Sequence, residues 1–459
     1  MLHKYIIICI LIVFGTSCKD ANQIELESMI DEFNHLKNNK LNNKSSAAFS
    51  KKVKSWIAYD VGNSAFATTV VAGFFPVFYL QYWANGIEMS DATVYKAWAL
   101  AICNTVVLLT APFIGAITDI NNATKKYLVA LTTTGALLVG LLSTLSMGSW
   151  FYALIFFCIA NYCFSVAQIP YDKILLKIAP ENKISQISNY GYAWGYLGGG
   201  MLFLVNALMF LFWEDIGLKS SSDAIKISFV MVSIWWFVFM LPIRRNYNEV
   251  VDKYSSSFLL KKSFNNIIST LRSISQYKNI SLFLLAFFLF IDGAHTVIYL
   301  AADFALNVGL KANDVIPALI LVQFVAFPAT LFWGFIANKY GDKSVLYTTI
   351  AFYVFIIIFS TTLTSAIEFY ILAILVGSVQ GGIQGSSRSL YAKIIPPEKA
   401  GEFFGIYNVL GRAGAIFGPL MVGTLLALYG DVRIALLPIA VLFILGGLVL
   451  MKVRESHEV

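Results

Sequence analysis

The 459-residue chain is 58% apolar and 15% aromatic but only 13% charged, against about 25% charged residues in ordinary soluble proteins. That composition excludes a soluble enzyme. The formal charge of +7 is then topology and attraction to an anionic inner leaflet, and no nucleic-acid partner is expected.

In chain order, Lys4, an apolar run from Tyr5 to Phe14 and the small residues Gly15, Thr16 and Ser17 before Cys18 read as a secretory signal with a lipoprotein-like cysteine. Position 15 departs from the Leu usual there. Residues 19–54, rich in Asn, Lys and Ser, read as a polar tether. A lipidated Cys18 would leave that tether outside the cell, whereas Lys51, Lys52 and Lys54 just before the next apolar run argue for the inside. The charge bias of the whole body favours translation from Met29. Mass spectrometry of the mature N-terminus is expected to find no lipid on Cys18; a lipid-modified Cys18 would overturn this reading.

Twelve apolar segments follow, at approximately 57–83, 95–118, 127–147, 150–170, 189–213, 225–243, 279–305, 314–337, 344–363, 367–387, 402–427 and 432–451. Each is near or above the roughly 20 residues that cross a bilayer as a helix. One set of connections carries Lys125, Lys126, Lys173, Lys177, Lys183, Lys339, Lys343, Arg388, Lys393 and Lys399, and residues 244–278 add seven more bases against Glu249 and Asp252. The opposite connections mix signs. The positive-inside rule therefore predicts both ends of the twelve-helix body in the cytoplasm. The expected fold is an all-α integral membrane protein of two six-helix bundles, 55–243 and 279–453, joined by a basic linker at 244–278 and followed by a tail at 454–459.

Internal repeats support the two bundles. Gly334 to Lys343, containing Asn338, Lys339, Gly341 and Asp342, is echoed by Gly115 to Lys126, containing Asp119, 219 residues earlier (334 − 115). Each copy closes a Pro-containing apolar run and opens a basic turn. Pro180 and Pro396 repeat, as do Gly195 with Gly411 and Gly198 with Gly414, at an offset of 216 (411 − 195). A duplicated apolar chain of this kind points to a carrier.

The paired Gly-x-x-x-Asp/Asn turns resemble those of the major facilitator superfamily, although the first copy departs at Ile120 and Asn122. A narrower set is similar to a bacterial branch related to the vacuolar amino-acid effluxers of fungi. It comprises Tyr59 to Thr69, Gly191 to Gly200, Phe290 to Gly293, Gly381 to Leu390 and Glu402 to Tyr407. The resemblance covers residues from about 55 to 450. It implies secondary transport, with amino-acid export as one form, and a cytoplasmic gate formed by Gly115, Asp119, Gly334, Asn338, Lys339, Gly341 and Lys343.

Ionisable groups inside a membrane are functional candidates by default. Asp292 and His295 share a helix face and are the candidate proton-coupling pair, with a structural pairing of Asp292 as the bland alternative. Arg412, amid glycines, is a candidate grip for a substrate carboxylate, or else a bridge to Asp292 or Asp60. Asp60 and Asn63 are candidate gate or substrate groups. Gln380, Gln384 and Asn161 either line a cavity or bond between helices.

Cys103, Cys158 and Cys163 fall in the apolar segments with no metal-ligand spacing, so no metal is expected. No phosphate-binding Gly-x-x-x-x-Gly-Lys-Ser/Thr loop occurs, so the drive is expected from a proton gradient, with no cofactor. The chain is expected to be a monomeric, multi-pass protein of a bacterial cytoplasmic membrane, not an enzyme, with a small polar solute and the bilayer as its partners. A cation-coupled sugar symporter is the alternative within carriers. A transporter-like receptor or lipid-handling protein is the alternative outside them.

Overall fold

A computed structural model describes residues 50–455 apart from 253, 274–276, 309, 311 and 430, and leaves a few side chains within helices undescribed. The signal-like residues, Cys18 and nearly all of the tether lie outside the described residues. Among those described there are thirteen long helices, two single 3-10 turns (Glu181–Lys183 and Pro397–Lys399) and no strand.

The first half consists of α1 (Lys51–Trp83), α2 (Met89–Asn121), α3 (Thr124–Leu142), α4 (Trp150–Ile178), α5 (Ile184–Leu211) and α6 (Ser221–Asn246). A linker helix, α7 (Ser256–Ser273), follows. The second half consists of α8 (Lys278–Asn307), α9 (Ala312–Tyr340), α10 (Asp342–Ser360), α11 (Ala366–Ile394), α12 (Ala400–Tyr429) and α13 (Val432–Leu450). Eleven helices among the described residues are long and apolar enough to cross a membrane. The 30-residue α12 packs among them and completes twelve.

Local chemistry sets the helix ends. Ser365 caps α11 by accepting from the Glu368 amide, while the Glu368 carboxylate accepts from the Ser365 amide at 2.9 Å. The two duplicated turns both need a left-handed residue, supplied by Asn122 (φ 52°) after α2 and by Gly341 (φ 88°) after α9. Asn and Gly are the residue types that reach this region at least cost. In α1 the ladder loosens to a π register, with the Phe75 amide bonding to the Val70 carbonyl. Large apolar side chains such as Trp98, Leu109, Leu137, Ile234, Phe355 and Leu420 are exposed, as expected of surfaces that lipid covers.

Packing repeats as the sequence does. Within each half, α3 lies on α4 and α6 as α10 lies on α11 and α13. Between the halves, α2 packs on α12 and α5 on α9, while α4 meets α12 and α5 meets α11. The interface therefore has an approximate twofold relation of its own.

Two expected boundaries move. Helices α4 and α11 run on to Ile178 and Ile394, past the predicted ends at 170 and 387. Lys173, Arg388 and Lys393 are therefore helical residues, not loop charges. The region 244–278 is not all loop either, because α7 occupies Ser256–Ser273 and Phe264 lies against Phe113 of α2 at 6.3 Å between ring centroids.

Each half also ties its own exit back to its third helix. After α6, Glu249 accepts the Lys125 amide at 2.5 Å and Asn248 accepts Lys125 Nζ at 3.1 Å, while the Asp252 amide donates to the Asn121 carbonyl at 2.9 Å. After α13, Glu455 accepts the Lys343 amide at 2.6 Å and the Val453 carbonyl accepts Lys343 Nζ at 2.7 Å. Carboxylates placed at the first turns of α3 and α10 satisfy open amides there and favour the helix dipole.

Candidate functional site

The basic end of the bundle is closed by two related acid clusters. Asp119, at the end of α2, pairs with Lys173 of α4 at 2.6 Å, and its side chain is 6% exposed. It also crosses to the other half, accepting the amides of Gly401 and Glu402 in the first turn of α12 at 3.0 and 2.9 Å. Asp342, at the start of α10, pairs with Lys393 of α11 at 2.7 Å. Its Oδ2 also accepts from Ser389 at 2.9 Å and, across the seam, from Ser185 in the first turn of α5 at 3.0 Å. Each acid thus holds a lysine of its own half and the head of a helix in the other.

Gly115 and Gly401 make that closure possible. A Cβ on Gly115 would overlap the Gly401 carbonyl, and one on Gly401 would meet Asp119. Gly334 plays a similar part against Asn189, whose Cβ would lie 2.8 Å from an added methyl. The remaining expected gate residues sit differently. Asn338 and Lys339 are exposed at the end of α9, Gly341 makes the left-handed turn, and Lys343 grips the exit segment after α13. Asp342, not Asn338, does at the second turn what Asp119 does at the first.

Deeper in the seam, Arg388 of α11 is 2% exposed and Asp172 of α4 is 3% exposed. They pair at 3.5 Å. Arg388 Nε donates to Ser188 Oγ at 2.9 Å and Nη2 to the Ser188 carbonyl at 2.6 Å. Its guanidinium carbon also lies 4.2 Å from the Tyr192 ring centre, 4.8 Å from Trp56 and 5.5 Å from Tyr171. A planar, weakly hydrated cation stacks well on such faces. Asn408 of α12 completes the set by donating to Asp172 Oδ2 at 3.3 Å.

Trp56 and Tyr171 stack at 4.4 Å with 3° between planes, and the indole N–H bonds to the Tyr171 carbonyl at 2.8 Å. Asp60, one turn after Trp56, is 5% exposed, and its carboxylate lies with the Trp56 ring against Gly191. Gly191 of α5 lets it in, since a Cβ there would sit 2.9 Å from Asp60 Oδ2. Asn63 follows one turn on, also buried.

Asp172 and Arg388 are 216 residues apart, the offset of the repeat itself. They stand at one register in the two halves, with opposite charges. Sequence reasoning passed over Asp172 and counted Arg388 as a loop charge, although that shared register was there to be read.

Of the other expected residues, Gln384 accepts from the Tyr196 hydroxyl across the seam at 2.8 Å, and Gln380 is buried on the same helix. Asn161 stays within the first half, donating to Cys103 Sγ at 3.7 Å. Asp292 lies in the second half, where Oδ1 accepts the Gly418 amide at 2.9 Å; His295 is half-buried one turn on. Arg412 falls within α12, but its side chain is outside the described residues. The structure thus gathers Asp60, Arg388 and Asp172 around Trp56 at the seam and holds Asp292 and Asn161 elsewhere.

Two repeated six-helix halves, closed on each other at one end around buried charge, define a multi-pass membrane carrier. The proton:xylose symporter XylE shares the fold at a TM-score of 0.64, with 13% identity over 88% of this chain and 94% of that one. FucP in its outward conformation matches at a TM-score of 0.64, with 14% identity over 87% and 97%. At these identities the likeness is one of fold alone.

A family model described as "Vacuole effluxer Atg22 like" matches residues 177–458. The Bacillus subtilis (strain 168) protein named Uncharacterized MFS-type transporter YxiO is 30% identical over 410 residues, 89% of this chain and 96% of that protein. Autophagy-related protein 22-1 of Penicillium rubens is 26% identical over 287 residues, and the chain spans only 47% of its length. The chain belongs to the Atg22-like family of major facilitator transporters, and it is a transporter rather than an enzyme.

Proposed function

We propose that the chain is a secondary active transporter that exports a small zwitterionic solute, an amino acid, across the cytoplasmic membrane by alternating access, driven by protons. The observation that carries this reading is Arg388, buried at the seam, paired with Asp172 and stacked on Trp56, with Asp60 against the same indole. One guanidinium with two carboxylates offers complementary charge to both ends of an amino acid. Because Arg388 and Asp172 belong to different halves, a solute that competes for either loosens one half from the other. A ligand moves a conformational equilibrium only through such differential contacts. The family description, a vacuole effluxer, supports solute transport.

The test is counterflow in proteoliposomes preloaded with unlabelled amino acids. Labelled amino acids are expected to accumulate transiently above protein-free liposomes, and net flux to follow an imposed pH gradient. Counterflow with sugars but not with amino acids would overturn the assigned solute. No flux of any kind would overturn transport.

A further inference from the structure

The linker helix α7 takes no part in the seam, yet it presents a face of unusual composition. Between Asp252 and Lys278 the sequence holds Lys253, Lys261, Lys262 and Arg272 and no acidic residue. At about 100° per residue, Phe258, Lys261, Lys262, Asn265 and Ser269 fall on one side of α7, and all five are exposed. Tyr254 stacks on Phe258 with 5.1 Å between ring centres, and Lys262 Nζ stands 5.4 Å from the Phe258 ring centre. Ser263, on the other side of the helix, is fully buried.

The placement of α7 says what that face meets. On α2, Trp98, Ile102, Val106, Leu109 and Phe113 recur at the three- and four-residue spacing of one helix face. The first four are exposed, so this stripe is turned to lipid. Helix α7 lies at its foot, where Phe264 meets Phe113. Phe113 comes eight residues before Asn121 (121 − 113), about 12 Å back along α2. The segment that leads into α7 is tied at Asn121 and Lys125. Helix α7 therefore lies against the flank of α2 at the basic end of the bundle, at the level where a lipid-facing stripe meets the membrane surface.

A face that met only water would account for the lysines but not for Tyr254, Phe258 and Phe264, which are exposed beside them. Rings and lysine stems alternate in this way at a membrane surface, where the rings sit at headgroup level and the ammonium groups reach phosphates. We propose that the face of α7 bearing Phe258, Lys261 and Lys262 binds an anionic phospholipid of the leaflet at the basic end. The headgroup phosphate sits on the two lysines, and an acyl chain follows the Leu109 stripe of α2. The bound lipid pins α7 against α2, so the charge of that leaflet sets how firmly the connection between the halves is held. This inference needs neither the assigned solute nor a proton drive.

Hydrogen exchange of the full-length protein in lipid nanodiscs tests it, in phosphatidylcholine alone and in phosphatidylcholine mixed with phosphatidylglycerol. Peptides covering Ser256–Ser273 are expected to exchange about tenfold more slowly in the mixed bilayer, as two bases at an anionic surface imply. The double variant Lys261→Gln with Lys262→Gln should lose that difference, and Lys261→Arg with Lys262→Arg should keep it. Lys126→Gln removes an exposed base of the same end outside α7 and should leave the difference intact. Equal exchange in the two bilayers would overturn the proposal, as would a difference that survives Lys261→Gln with Lys262→Gln or vanishes in Lys126→Gln. Slow exchange in both bilayers would mean that protein covers the face, the chain's own first residues included. Slowing by inorganic phosphate in the neutral bilayer would mean a site for a free anion. Either result would also overturn it.

Discussion

Replacing Arg388 by Met is expected to destabilise the purified protein by about 3–5 kcal/mol, because the change strands Asp172 in the seam without its counter-charge. The same step removes two donors from Ser188 and the cation stacked among Trp56, Tyr171 and Tyr192. The double substitution Asp172→Asn with Arg388→Met should recover much of that loss, since replacing both members of a buried pair is far milder than breaking it. Arg388→Lys should fall between them: it keeps the charge but not the planar fork that reaches Ser188 and Asp172 together. Thermal unfolding in detergent tests the order. If Arg388→Met and the double variant unfold alike, the pair is not the energetic centre of the seam.

Asp119→Ala should have an effect of similar size but a different location. It frees Lys173, and it strips the amides of Gly401 and Glu402 of their acceptor. Hydrogen bonds to a charged group contribute about 1.5–3 kcal/mol each, so amide exchange at the head of α12 should quicken by about tenfold or more. Asp342→Ala should instead loosen the head of α5, where Ser185 donates to it. Peptide-resolved hydrogen exchange separates the two. If either variant leaves its own helix head as protected as before, the cross-seam contact does not hold that end shut.

The twelve-span architecture was legible because lipid leaves helices few alternatives and because the chain repeats itself at an offset of 216–219 residues. The heads of α3 and α10, and the left-handed turns at Asn122 and Gly341, fell where the doubled motif put them. The helix ends at Ile178 and Ile394 did not. A hydropathy window stops where charge begins, whereas the backbone goes on bonding to itself through Asp172, Lys173, Arg388 and Lys393. Each of these four charges is answered within the protein, and a one-dimensional reading cannot see the partner. For the same reason Asp292, whose charge stands alone in its apolar run, reads from sequence as a site, whereas Arg388 reads as an ordinary inner-face base. The acid at the second gate was missed for a simpler cause. Aligning the turns by their glycines points to Asn338, whereas the working carboxylate comes four residues later, at Asp342.

The bonds that tie Asn248 and Glu249 to the start of α3, and Asp252 to the turn before it, fix where the leash between the halves begins. Residues up to Asp252 travel with the first half. Since α7 takes Ser256–Ser273 and α8 starts at Lys278, few residues separate α7 from Asp252 or from α8. Any separation of the halves at the basic end must then be matched by α7 swinging or lifting away from α2, which makes this helix a strut whose reach sets how wide the carrier can open. Lengthening the short joints beside α7 should widen that opening, and shortening them should narrow it, without touching a residue of the seam.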